Sequence, residues 1–250
     1  MLEITHRTDI AILTMMHGKA NAFDLEFSDA LVAACEEFAT SDAKALVITA
    51  RGAIFSAGVD LLRVTSGGAK YLDSFLPAVS RAFETVFTCP KPVVAAVNGH
   101  AFAGGCILAW AADRRLMARG TGRIGVPELL VGVPFPTVPI EIARYAVAPQ
   151  YLASMVYGGD TLLPEDALER GVVDALVDPD ALVDEAVTAA TRLASLSPAV
   201  FARTKQQLRE PAVTRMREGK ARVDPEVFKT WALPETFDAI NAYVARTFKR

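Results

Sequence analysis

Two apolar β runs, each leaving into a glycine-bearing turn, constrain this chain more than any other feature. "ALVITA" (residues 45–50) leads into "FSAGVDL" (55–61), and "PVVAAV" (92–97) leads into "NGHAFAGGC" (98–106). Short continuous apolar runs bounded by turn residues read as strands. After the second run, Gly104 and Gly105 open "GGCILAWAA", which reads as a helix buried almost all round. The first amides of a helix have no intrahelical partner, and the dipole is positive there. Such a place suits an anion. Two amides converging from separate strands could hold one oxygen that becomes negative during a reaction. Glycine keeps the oxygen's approach clear. Either segment alone is explained as well by close helix–strand packing; their coincidence favours the anion reading.

The remaining pattern is α/β at first and then α-rich. Residues 2–15 read as two short strands joined near Thr8 and Asp9. In "AFDLEFSDALVAACEEFA", Asp24 is placed to cap a helix whose Phe27, Leu31, Ala34, Cys35 and Phe38 recur at helical spacing. Residues 64–76 carry glycine and serine and then aromatic and polar residues, which predicts a mobile loop running into a helix. "RRLMA" and "RIGV" read as short strands about a glycine turn. From Val138 onward nearly everything reads as helix apart from a strand at "VVDALV", with prolines at helix starts. We place a core of residues 1–195 before a helical C-terminal region of 196–250.

Several functions are disfavoured. A formal net charge of -3 with no basic stripe argues against a nucleic-acid partner. No apolar run reaches the length of a bilayer span, because Asp113 to Arg115 interrupt the best candidate. No secretory leader is legible at the N-terminus, so a cytoplasmic location is expected. Cys35, Cys89 and Cys106 lack metal or redox spacing and read as buried, reduced residues. His6, His17 and His100 lack metal-ligand spacing and read as surface or structural residues, so no metal is expected. "GTGRIG" (120–125) matches the dinucleotide fingerprint in letters, but Pro127 stands where its helix should begin. Ser56 in "IFSAG" lacks the glycine two residues earlier that a nucleophile elbow needs.

The chain resembles the enoyl-CoA hydratase/isomerase, or crotonase, family. The matching segments are "KANAFD" (19–24), "LVITARGAIFSAGVDL" (46–61), "KPVVAAVNGHAFAGGC" (91–106), "ADRRLMA" (112–118), "IGVPELLVGVPFP" (124–136) and "LLPEDALERGVVDALV" (162–177). The resemblance implies a crotonase-like superhelix of ββα units with a helical C-terminal part. It implies an acyl-CoA substrate with no separate cofactor, coenzyme A being part of the substrate. It further implies a homotrimer or dimer of trimers, with the C-terminal helices at the subunit interface.

By that resemblance the thioester oxygen lies between the backbone amides of Val59 and Gly104. Backbone around Ser56, Ala57 and Gly58 corresponds to the segment that meets the adenine, and Lys19 and Arg63 to cations near the CoA phosphates. Ala20 and Asp60 fall in the same binding segments. Hydratases of the family carry two glutamates; here Ile107 occupies one position and Glu128 the other. One carboxylate suffices to move a proton from C2 to C4 of a 3-enoyl thioester, and "AGGC" and "PF" resemble the Δ3,Δ2-enoyl-CoA isomerases. As a plain helix start, Pro127-Glu128 would be unremarkable. Hydration with a further acid (Asp60, Asp73 or Glu141), another thioester reaction of the family, and acyl-CoA binding without turnover remain open alternatives.

Overall fold

The computed structural model describes residues 1–247. A six-stranded sheet holds β1 (Leu2–Arg7), β2 (Ile10–Met15), β3 (Ala45–Ala50), β5 (Val93–Val97), β7 (Arg114–Ala118) and β10 (Ala175–Val177), in that order across the sheet. Only β1 and β2 pair antiparallel; every other pair is parallel. A smaller sheet is formed by β4 (Ile54–Ser56), β6 (His100–Phe102), β8 (Ile124–Gly125) and β9 (Thr161–Leu162). The helices are α1 (Leu25–Thr40), α2 (Leu61–Thr88), α3 (Gly104–Ala111), α4 (Glu128–Val131), α5 (Thr137–Ala146), α6 (Pro149–Gly158), α7 (Pro164–Glu169), α8 (Leu182–Ala194), α9 (Pro198–Arg222), α10 (Asp224–Trp231) and α11 (Pro234–Thr247). Three times the chain runs through a strand of the large sheet, then one of the small sheet, then a helix: β3–β4–α2, β5–β6–α3 and β7–β8–α4. Stacking these units lines up three strand-to-helix turns side by side.

The apolar strands are continuous because both faces of the large sheet are covered. Leu13, Leu46, Ile48, Ala95 and Val97 face the core shared with α1, α2 and α3. Ile12, Val47, Val94 and Leu116 face α8 through Leu182, Ala186 and Ala190. Asp24 caps α1 by accepting the Phe27 amide at 2.7 Å, and the residues spaced along its apolar stripe are buried. All eight residues of α3 are buried. A Cβ on Gly105 would collide with the Ser56 carbonyl oxygen, so this glycine lets α3 seat against β4.

Two expectations need correction. Residues 64–76 are helical rather than a loop, because Val64, Leu72, Phe75 and Leu76 supply a buried stripe against α1. The glycine signal there marks a single break at Gly68, with φ 63° and ψ -162°. The strand β9 has only two residues and escaped the sequence pattern. The helices after residue 196 contribute Ala212, Met216, Trp231 and Ile240 to the same hydrophobic core as the sheet. No described helix is long and apolar enough to cross a membrane.

Candidate active site

The turns after β4, β6 and β8 meet at one cavity of about 520 Å³. The first turn brings Val59. Phe23 forms an isolated parallel bridge to Val59, donating to the Gly58 carbonyl at 2.7 Å and accepting from the Asp60 amide at 2.9 Å. Both bonds use one edge of the turn. The Val59 amide between them therefore points to the other edge, where Val59 lines the cavity. Gly58 sits at φ 86°, and a Cβ there would lie 3.0 Å from the Gly104 nitrogen and 2.7 Å from the Ala103 Cβ. The two turns thus touch through bare backbone. Among the described residues neither the Val59 nor the Gly104 amide has a hydrogen-bond acceptor. Gly104 opens α3, so its amide also carries the positive end of the helix dipole. The residue before it, Ala103, adopts φ 49° and ψ -122°. Such backbone costs an alanine roughly 1–3 kcal/mol and persists only where packing enforces it.

The third turn brings Glu128, the first residue of α4. Part of the residue faces the open cavity, yet its Oε2 is out of solvent and has no hydrogen-bond partner among the described residues. Burial pushes its carboxyl up to about 8, offset in part by its own backbone amide. Ile107 also lines the cavity and is wholly buried. It follows Gly104 by three residues, which places it one turn further along the same face of α3. The second carboxylate on the wall, Asp60, caps α2 by accepting the Arg63 amide at 2.9 Å. Of the other acids weighed from sequence, Asp73 is exposed and off the cavity wall. Glu141 is buried between Arg144 at 2.9 Å and Arg215 at 2.5 Å, so it is structural.

The comparisons with known proteins agree with this architecture. A sequence model of the family described as Enoyl-CoA hydratase/isomerase matches residues 5–244. The chain belongs to that family. It is 32% identical to a carnitinyl-CoA dehydratase of Salmonella paratyphi B over 252 aligned positions, covering 100% of this chain and 96% of the relative. A crystal structure of a probable enoyl-CoA hydratase from Mycobacterium tuberculosis H37Rv superposes with a TM-score of 0.85 at 32% identity, covering 90% of this chain and 95% of the other. An apo structure of that mycobacterial protein, described as an enoyl-CoA isomerase, gives 0.83 at 31%, covering 90% and 98%. Human mitochondrial Δ3,Δ2-enoyl-CoA isomerase superposes over 99% of this chain and 98% of its own with a TM-score of 0.95 at 20% identity, a likeness of fold. The ββα superhelix expected from the sequence is therefore the fold of this enzyme.

Most of the residues singled out from the family's motifs come together. Lys19, Ala20, Ala57, Val59, Asp60, Gly104, Ile107 and Glu128 all line the one cavity. Ser56 does not. Its hydroxyl is buried, donating to the Asn21 carbonyl at 2.7 Å and accepting the Gly58 amide at 3.2 Å, so it braces the turn from behind. Gly58 likewise forms the join between the two turns rather than the wall. Arg63 is off the wall, paired with Glu26 at 3.0 Å and lying over the Tyr71 ring. His17 and Trp231 are among the wall residues that escaped the sequence reading. His17, read as surface or structural, stands at the cavity, stacked on Phe27 with Nε2 2.7 Å from Asp24; its proximity in sequence to Lys19 was the available signal. Trp231 arrives from α10, more than a hundred residues beyond Glu128, and no sequence pattern announces it.

Proposed function

We propose that this enzyme shifts the double bond of a 3-enoyl-CoA thioester to the 2-position, with Glu128 as sole proton carrier. The thioester oxygen rests between the Val59 and Gly104 amides. Glu128, as carboxylate, takes a proton from C2. The C2–H electron pair moves toward the carbonyl, the negative charge settles on the thioester oxygen, and the two amides stabilise it. The protonated Glu128 returns its proton at C4, the electron pair of the dienolate forms the new C4–H bond, and the double bond comes to rest between C2 and C3. Nothing else is consumed or released. The free CoA portion passes the turns at Lys19 and Ala57, where the wall is open to solvent.

The observation that carries the reading is the pairing of one unpartnered carboxylate with an isoleucine. Ile107 can neither hold nor deprotonate water, and Asp60 is committed to the α2 cap. A base whose proton affinity lies near neutrality also suits transfer in both directions. The decisive experiment gives purified protein 3-enoyl-CoA and 2-enoyl-CoA in parallel. Conjugation of the first, without hydration of the second, supports the isomerase. Glu128→Gln should abolish conjugation while acyl-CoA binding persists; full activity in that variant removes Glu128 from the mechanism.

The dehydratase name of the Salmonella relative favours a second reading, in which water adds to or leaves a 2-enoyl-CoA. That reading requires a second group to orient water beside Ile107, and hydration of 2-enoyl-CoA in the same assay would select it. Binding of both thioesters with turnover of neither would mark an acyl-CoA-binding protein. We further propose a homotrimer or dimer of trimers, which the mass in solution tests directly.

A further inference from the structure

We infer that Trp231 closes the deep end of the acyl channel and thereby sets the chain length this enzyme accepts. The inference rests on the placement of the thioester between Val59 and Gly104 proposed above. Burial along the wall gives the channel its direction. Gly18, Lys19, Leu62 and, at the end of α11, Thr247 are exposed, with Leu62 at 60%, and mark the open side. Leu76, Val79 and Phe83 are buried and follow one another along a single face of α2. Trp231, 3% exposed, lines the same cavity from α10, a helix packed against α2.

Its indole is fixed rather than merely present. The Nε1–H donates to the Pro134 carbonyl at 2.9 Å. That pins the ring to residues 133–136, the wall segment that follows the Glu128 helix. At the opposite end of α10, Asp224 accepts both the Thr137 amide at 2.8 Å and the Thr137 hydroxyl at 2.6 Å. This cross-helix cap holds the first turn of α5 against the helix that carries Trp231. An acyl chain growing from the thioester gains affinity by roughly fourfold for each methylene it buries. Once it reaches a buried ring held by its bond to Pro134, a further methylene must displace packed atoms, and the gain stops.

The test is the affinity of saturated acyl-CoAs from butanoyl to hexadecanoyl, which need no turnover, for the full-length protein and for Trp231→Leu and Trp231→Phe. Wild-type affinity should climb with length and then break. Trp231→Leu should move the break to chains about two methylenes longer, and Trp231→Phe by less, in proportion to the room each opens. Both variants lose the bond to Pro134. Weakening common to both and equal at every length reports that anchor, whereas displacement of the break reports bulk. If Trp231→Leu does not fold, the smaller displacement in Trp231→Phe carries the test. A break unmoved in a folded variant overturns the inference, as does a wild-type series with no break. A moved break without double-bond shift would retain the channel and refute the isomerase; double-bond shift with an unmoved break would do the reverse.

Discussion

Ionising Glu128 should destabilise the folded protein, and Glu128→Gln should remove that penalty. The carboxyl moves from an ordinary glutamate value of 4.5 to about 8 because it is buried, and among the described residues its Oε2 has no hydrogen-bond partner. A folded-state value above the unfolded one means that the native state holds the proton more tightly. Stability is then full below about pH 4.5 and declines as pH rises through about 8. With about 1.4 kcal/mol for each unit, the decline from this group alone is on the order of 5 kcal/mol. For a chain of this size that corresponds to roughly 10–20 °C in melting temperature. The assay is thermal unfolding of wild type and Glu128→Gln from acid to pH 9, taking the difference between the two curves so that other groups cancel. The variant should gain on the wild type steadily from pH 5 upward. The same group predicts that double-bond shift rises with pH and levels off above about 8, since only the carboxylate can take the C2 proton. Parallel stability curves for the two proteins would refute the burial argument, and a pH-independent rate would refute the role of Glu128 as base.

The other expectations concern the backbone and its supports. Gly58→Ala forces a Cβ to 2.8 Å from the Phe102 carbonyl at a positive φ, so it should part the two turns and lower kcat by about a hundredfold or more, the scale of losing one oxyanion donor, as steady-state kinetics would show. Ile107→Glu adds a second carboxyl to the wall that holds Glu128. Like charge should raise the apparent pKa of the rate profile and depress activity at neutral pH, and an unchanged profile would argue that the two side chains do not meet. Asp113 binds Lys205 at 2.7 Å and Arg209 at 2.8 Å, both cations being buried; Asp113→Ala should cost about 3–5 kcal/mol in denaturant unfolding by leaving them unpaired.

The large elements were legible because their burial is written locally. Continuous apolar runs gave β3 and β5, the Asp24 cap and its following stripe gave α1, and the glycine pair gave the start of α3. The same glycines pointed to a site, since a turn that must pass close to another backbone requires Gly58 and Gly105 whatever lies further along the chain. The reading failed where composition and packing disagree. "TSGGAK" has a loop's composition, yet it folds as helix because the apolar residues flanking it find α1 and the cavity to bury against.

What the sequence determined by itself was the fold and a set of candidate positions: backbone amides after two strands, one glutamate at a helix start, and an isoleucine at the position where the family's hydratases carry a second acid. Tertiary structure alone decided which of these share a cavity, that Ser56 and Arg63 face away from it, and that Trp231 lines it. The physical reason is range. Strand patterning, capping and glycine conformations act over a few residues and leave a local trace, whereas the environment of Glu128 and the wall formed by Trp231 arise from segments about a hundred residues apart and exist only once the units have stacked.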